Sequence, residues 1–445
     1  MNVNRRKILA AFGAGGLSML PLSRALADGL PASLTGTSPI WIPSNAPVHP
    51  VPTTYAASGR VVVIGGGMAG ATVAKYLRLW GGNKVQVTLV EPASAYVSNI
   101  MSNLVLNNQL TLNSLNFNWN RLVSNYGVKR VQATVRGIDP VAKKVTLDVG
   151  APLLYDHLVV APGIEFDVVP GLETAAARAL VPHAWKTGPQ TATLRTQIQG
   201  MAAGGTFLMS IPKAPYRCPP GPYERACIVA DYFKRYKPGS KVIVLDENPN
   251  IIAEAHTFSP AFAKLGIDYR PGVAVASVNA SARSVVTATG TQIKANVLNI
   301  IPNQRAGAVL ASNGLVNVNG RWAGVNVLNY ESTAAKNVHI IGDSSATTQP
   351  KAGHIANQEA KVCADAIVRA MLGLAPDSAI MTNSACYSPV SSTQASWLTA
   401  VFAYDPVSKT MKVVANNPAE APSASAENLR EMRQWFSNLM TDSFA

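Results

Sequence analysis

Apolar and polar positions fall in blocks that predict strands and helices following one another along the chain. Residues 60–64 read Arg-Val-Val-Val-Ile, a near-continuous apolar run of the kind expected for a strand buried on both faces. The run enters Gly65-Gly66-Gly67-Met68-Ala69-Gly70 and then apolar positions at helical spacing as far as Leu77. A second strand over 85–90 ends at Glu91. Further strands are predicted over 130–135, 144–147 and 155–163, the last closing on Ala161-Pro162-Gly163. A second strand, helix, strand block occupies 204–211, 223–236 and 241–246, and a strand at 337–343 precedes a helix over 357–372. Strands around 396–404 and 411–414 lead to a closing helix from Ala426, whose Leu429, Met432, Trp435, Phe436, Leu439 and Met440 make one broad apolar face. That face is expected to pack on its own neighbouring sheet.

Gly65, Gly67 and Gly70 fill the G-x-G-x-x-G pattern between a strand and a helix. The first glycine permits the tight turn, the second lets backbone approach a pyrophosphate, and the third lets helix pack on strand. Glu91 lies about 20 residues beyond, where an acid is needed for a ribose hydroxyl. The chain is therefore expected to bind an adenine dinucleotide, its pyrophosphate facing the positive end of the helix. The 155–163 strand, closing on Ala161 and Pro162, resembles that of two-dinucleotide flavoproteins and favours FAD over NAD alone. Asp343, delivered after Gly342 at the end of a late strand, is expected to accept from the flavin's ribityl hydroxyls.

The second strand–helix block differs. Its loop reads Pro212-Lys213-Ala214-Pro215-Tyr216-Arg217-Cys218-Pro219-Pro220-Gly221-Pro222, and prolines supply no N–H to a phosphate. No NAD(P)H site is expected there. The loop offers Cys218 instead, beside Arg217 and just ahead of a helix, two features that favour thiolate. Glu224 and Arg225 follow in the first helical turn.

The chain has 445 residues, enough for two or three domains. Arg5-Arg6-Lys7, an apolar stretch to Leu22 and Ala25-Leu26-Ala27 have the layout of a twin-arginine export signal, which implies the periplasm. The net charge of +14 falls by four when residues 1–27 are removed. The remaining surplus contains no basic run of the kind that binds nucleic acid, so it is read as a distributed field able to steer anions. No other segment is long and apolar enough to span a membrane. Cys218, Cys227, Cys363 and Cys386 lie in neither C-x-x-C nor C-x-x-C-H, which argues against a zinc site and against haem on this chain. Residues 28–58, rich in Pro, Ser and Thr, are expected to form a linker or extended arm.

From about Arg60 onward the sequence resembles the flavoprotein subunits of flavocytochrome c sulfide dehydrogenase, within the wider sulfide:quinone reductase group. The resemblance rests on the Gly65–Gly70 loop with Glu91, Val160 to Ile164, Pro182 to Lys186, Tyr216 to Ala226, Ile301-Pro302 with Gln304 to Gly307, Ile340 to Asp343, and Pro350-Lys351 with Gly353. It implies an α/β fold with two Rossmann-like, glutathione-reductase-like domains and a C-terminal α+β domain. The FAD domain would occupy 59–170 and 301–384, the second Rossmann-like domain 171–300, and the last domain 385–445. It also implies electron flow from a small reduced sulfur compound through FAD to a c-type cytochrome partner. In that family a redox disulfide lies against the flavin. Cys218 fills the first position, whereas the second falls at Ser345. The family's covalent flavin tether falls at about Asn99, so FAD is expected to be noncovalent. Either Cys218 acts alone, with Glu224 relaying a proton, or it pairs with another cysteine. On sequence Cys227 is the least implausible partner, because Cys363 reads as helical and Cys386 as part of another domain. Two alternatives remain: a relative that oxidises a different small donor, and a catalytically silent flavoprotein subunit.

Overall fold

The computed structural model describes residue 39 and residues 41–445. The expected export signal, and the expected arm as far as residue 38, lie outside the described residues.

Five parallel strands form the centre of the first layer, in the order Lys129–Val131, Val85–Val90, Gly59–Ile64, His157–Val160, Val338–Ile340. Val62, Val63, Leu89, Leu158, Val159 and Ile340 are all buried, as apolar runs covered on both faces require. The late strand Val338–Ile340 pairs with His157–Val160, so two segments distant in sequence meet beside the glycine loop. The strand expected over 130–135 is interrupted: Lys129–Val131 joins this sheet and Val135–Asp139 turns away to pair with Lys144–Leu147.

A second parallel sheet has the order Asp268–Pro271, Lys241–Asp246, Thr206–Ile211, Val297–Ile300. Two short antiparallel strands, Ile164–Phe166 and Gln304–Ala306, pair where the chain passes between the two sheets. The third sheet pairs Met381–Pro389 with Ala395–Asp405, and the latter with Thr410–Val413, all antiparallel. Its first strand crosses residue 385, where the C-terminal domain was expected to begin.

The helix Met68–Gly81 packs between the helices Gly353–Met371 and Ala426–Phe444. The C-terminal helix does more than cover its own sheet. Phe444 stacks on Tyr96 and Phe117, and Thr72 donates to Ser443 at 3.0 Å. The arm is not free over its later residues. Trp41 is buried edge-on against Phe436, and its indole N–H donates to the Ser114 carbonyl at 2.7 Å.

Asp442 fastens the three helices together. Its carboxylate accepts from the Tyr76 hydroxyl at 2.5 Å and Asn357 Nδ2 at 2.8 Å, and pairs with Lys361 Nζ at 2.8 Å. Burial pushes this carboxyl up, but Lys361, Lys75 and the hydrogen bonds outweigh it and hold it below the usual range. A depressed carboxyl stabilises the fold above its unfolded pKa, and this contribution is lost as pH falls through the folded value. Asp442→Asn is therefore expected to cost about 2–3 kcal/mol near pH 7. The difference from wild type in thermal midpoint should close as pH is lowered below about 4, and a pH-independent difference would contradict this account.

Candidate functional site

The glycine loop leaves almost no room for side chains. A Cβ on Gly70 would lie 1.7 Å from the Gly65 carbonyl oxygen, and one on Gly65, whose φ is +95°, would lie 2.4 Å from that of Ala161. These contacts clamp the loop between its own helix and the Ala161-Pro162 turn. Pro162 is in turn close to Gly307, where a Cβ would meet it at 2.7 Å. Gly67 faces only Tyr96, at 3.7 Å, so its surroundings are open. The first intrahelical bond runs from Ala71 N–H to the Gly67 carbonyl at 2.9 Å. The preceding amides point out of the helix end with its positive dipole.

Glu91 holds this loop directly. Its Oε2 accepts from the Gly66 amide at 2.8 Å and its Oε1 from the Ala93 amide at 2.9 Å. A carboxylate has about four lone-pair sites, so capacity for a ribose hydroxyl remains. Trp119, buried behind the loop, donates to the Gly66 carbonyl at 2.8 Å.

Gly342, at φ +75°, packs on Ala69 of the glycine-loop helix, with only 3.3 Å between an added Cβ and that side chain. Its neighbour Asp343 thus stands at the positive end of the same helix. The Asp343 Oδ1 atom is shielded from solvent and has no hydrogen-bond partner. Burial pushes this carboxyl up, only partly offset by Arg217 and Lys351. A shielded acceptor without a donor is costly, so Asp343 fits a ligand that brings a hydroxyl to it. Lys351 Nζ donates to the carbonyls of Asp343 at 2.8 Å and Ser345 at 2.9 Å, which fixes the turn.

The prolines before the helix Gly221–Tyr236 place Cys218 at φ +60°, a backbone region that L residues seldom occupy. Its N–H donates to the Lys351 carbonyl at 2.7 Å, and its carbonyl accepts from Gly221 at 2.9 Å. Only a glycine fits beneath the sulfur, since a Cβ on Gly221 would lie 2.8 Å from Cys218 Sγ. Arg217 draws down Cys218, Asp343 and Tyr96 alike, so thiol, acid and phenol share one cation.

The expected thiolate is not found. Burial pushes the Cys218 thiol well up, Cys386 and Glu224 add to this, and Arg217 counteracts only part of it. The cost of taking charge out of water exceeds the benefit of one neighbouring cation. Ser345 likewise offers nothing to Cys218 in the role of a second sulfur. It is buried, with its hydroxyl donating to the Gly342 carbonyl at 2.8 Å and lying 3.5 Å from both oxygens of Glu359. Asn99 is held by Thr187, whose N–H and hydroxyl donate to its Oδ1 at 2.9 and 3.1 Å.

Glu224, in the first turn of the helix that follows the cysteine, is buried and accepts from Asn103 Nδ2 at 2.9 Å. Asn103 also accepts from Arg225 Nε at 2.9 Å, so one amide separates a buried acid from a buried base. No spacing in the sequence points to Asn103, which arrives on the short helical turn Ser102–Val105. Burial pushes Glu224 up to about 8, and the Glu254 charge adds to this. Cys227 is fully buried in an apolar cluster, and the charges acting on it are Glu224 and Asp231 of its own helix. Among the described residues no helix is long and apolar enough to cross a membrane, and no cluster of His, Cys, Asp and Glu could hold a metal ion.

Three families match successive parts of the chain. Residues 59–190 match pyridine nucleotide-disulphide oxidoreductases, 191–302 the central part of the sulfide dehydrogenase [flavocytochrome c] flavoprotein chain, and 378–444 the flavocytochrome c sulphide dehydrogenase flavin-binding family. The sulfide dehydrogenase [flavocytochrome c] flavoprotein chain of Chlorobaculum thiosulfatiphilum is 54% identical over 46 residues, which are 94% of that short sequence and 10% of this chain. The fold is similar to sulfide:quinone oxidoreductase of Aquifex aeolicus, at TM-score 0.67 and 19% identity over 87% of this chain and 90% of the other. It is also similar to an NAD-dependent persulfide reductase from A. fulgidus, at TM-score 0.57 and 14% identity over 85% and 76%.

A carboxyl raised on folding adds stability that is complete below its unfolded pKa and is lost as pH rises through the folded value. For Glu224 the window runs from about 4.3 in the unfolded chain to about 8 in the fold. Glu224→Gln keeps an acceptor for Asn103 but does not titrate. Its thermal midpoint relative to wild type is expected to rise steadily between pH 5 and 9, and a flat difference would count against a buried neutral Glu224.

Proposed function

The chain belongs to the flavoprotein family of flavocytochrome c sulfide dehydrogenase and is an FAD-dependent oxidoreductase, and we propose that it oxidises sulfide or a similarly small reduced sulfur compound. The observation that carries this reading is the tie of both Cys218 and Asp343 to Lys351, whose carbonyl accepts from the Cys218 N–H at 2.7 Å and whose Nζ donates to the Asp343 carbonyl at 2.8 Å. A sulfur and the acid suited to a flavin's hydroxyls are thereby kept in one place. In this proposal the amides at the start of Met68–Gly81 and Glu91 hold the adenine dinucleotide, while Asp343 accepts from the ribityl chain. FAD would be noncovalent, with Asn99 where the family's tether lies. FAD supplies a two-electron acceptor. The protein's own residues bring the donor to it: the basic surplus draws in hydrosulfide, Cys218 would take its sulfur as the electron pair passes to FAD, and Glu224, neutral below about 8, would relay a proton by giving up its own as it accepts another.

The proline loop supports a donor other than NAD(P)H, because Pro219, Pro220 and Pro222 leave few amides for a pyrophosphate where the Rossmann-like unit would need them. Export to the periplasm by the twin-arginine route and a c-type cytochrome as electron acceptor complete the proposal. They rest on the leader sequence and on the family.

Sulfide added anaerobically to the purified protein is expected to bleach the flavin band rapidly, with Cys218→Ser at least about a hundredfold slower. Bleaching by NADH at a comparable rate, or full sulfide reactivity in Cys218→Ser, would overturn this reading. Asp343→Ala removes an acceptor that has no protein partner. It is expected to leave secondary structure unchanged and weaken flavin retention by about tenfold or more, a loss of at least about 1.4 kcal/mol, read as flavin absorbance per chain. Undiminished flavin content would contradict the role given to Asp343.

A further inference from the structure

Cys218 and Cys386 are both partly exposed, whereas Cys227 and Cys363 are completely buried. Both partly exposed cysteines are anchored to the same short stretch of chain. Cys218 N–H binds the Lys351 carbonyl at 2.7 Å. On the other side, Ala385 N–H donates to His354 Nδ1 at 2.9 Å, and Gln349 Nε2 donates to Thr382 Oγ1 at 2.6 Å. Residues 349–354 thus carry the cysteine loop on one side and the strand Met381–Pro389 on the other. That strand also packs on the helix Gly221–Tyr236, with Cα atoms of the two elements within 8 Å of each other.

The strand's alternation puts Ser384, Cys386 and Ser388 on one face. Ser388 Oγ donates to the buried carboxylate of Glu254, which aims that face toward the acids near the cysteine helix. Cys386 packs against the cluster formed by Val327, Ala352, Ile355, Phe402 and Met411, whose Ala352 follows the residue that binds Cys218. We propose that Cys386, contributed by the C-terminal sheet, is the second sulfur of the site and forms a reversible disulfide with Cys218. The electrostatics agree, since after burial itself Cys386 is the largest influence raising the Cys218 thiol, and Glu224 acts on both. Burial pushes Cys386 up to about 12, which keeps it a thiol until it is oxidised.

This inference rests on the sulfur-oxidising reading above. Closing the pair removes two electrons and two protons from two thiols and makes one S–S bond. The oxidised flavin of that reading takes the electron pair and one proton, and the other proton goes to solvent. Hydrosulfide reopens the bond without net redox change: its sulfur bonds to one cysteine as the S–S bond breaks, leaving a persulfide on that cysteine and a thiolate on the other.

The test is differential thiol labelling of the flavin-loaded full chain, before and after oxidation with diamide, followed by digestion and mass spectrometry. The expected result is a peptide pair joined through Cys218 and Cys386, with Cys227 and Cys363 still labelled as free thiols. Cys218 joined to Cys227, or Cys218 and Cys386 both free after oxidation, overturns the proposal. Cys386→Ser is expected to slow flavin bleaching by sulfide by about tenfold or more while flavin content and thermal midpoint stay unchanged. Full-rate bleaching in Cys386→Ser together with loss in Cys218→Ser overturns the pairing and leaves the sulfide reading intact. An intact Cys218–Cys386 bond in a protein that sulfide never bleaches overturns the sulfide reading and leaves the pairing intact.

Discussion

The rest of the structure depends on the close approach of bare backbone at the glycine loop. Gly70 lies against Gly65, and Gly65 against Ala161, at separations that exclude any side chain. Strand, helix and the neighbouring turn are locked into one piece by that packing. Because Gly342 rests on Ala69 of the same helix, a segment far along the chain is brought to the same point. The acid it carries, Asp343, has a shielded oxygen without a partner. The fold accepts this local cost at the place where a ligand hydroxyl can remove it.

The chemistry is assembled around that cradle by elements that carry little of the fold themselves. The proline loop contributes Cys218 and Arg217, the turn at Ser102–Val105 contributes Asn103, and residues 349–354 tie both the loop and the C-terminal sheet to the turn that carries Asp343. Desolvation governs the electrostatics throughout. Glu224, Glu254, Asp343 and Cys218 are all pushed toward their neutral forms by burial, and the cations near them offset only part of that. Such a site suits proton-coupled sulfur chemistry, in which thiols and acids exchange protons without leaving isolated buried charges.

What was legible in the sequence was local. The apolar runs gave the strands at 85–90, 144–147 and 241–246 at the same bounds as the structure. The glycine spacing, the proline loop and the Gly342-Asp343 pair are motifs whose meaning lies in consecutive residues. What was not legible depends on contacts between distant segments. Asn103 bridges Glu224 and Arg225 from more than a hundred residues away. Cys386 read as remote because its strand belongs to another sheet, yet residues 349–354 bond both to that strand and to the Cys218 loop. The thiolate expectation failed for a related reason: sequence displays Arg217 next to Cys218 but not the surrounding protein that desolvates the sulfur and outweighs that cation. The apolar face of the last helix was visible, but not that its Phe436 would meet Phe117, nor that Phe444 beyond that face would stack on Tyr96 and Phe117.

The central claim is that this chain grips an intact FAD through its own backbone and carboxylates, without a covalent bond. It is tested most directly by precipitating the purified, yellow protein with acid and analysing both fractions by mass spectrometry. The account predicts one FAD per chain in the supernatant and an unmodified polypeptide in the pellet. A colourless preparation that takes up no FAD, or flavin that stays attached to a peptide in the pellet, would contradict it.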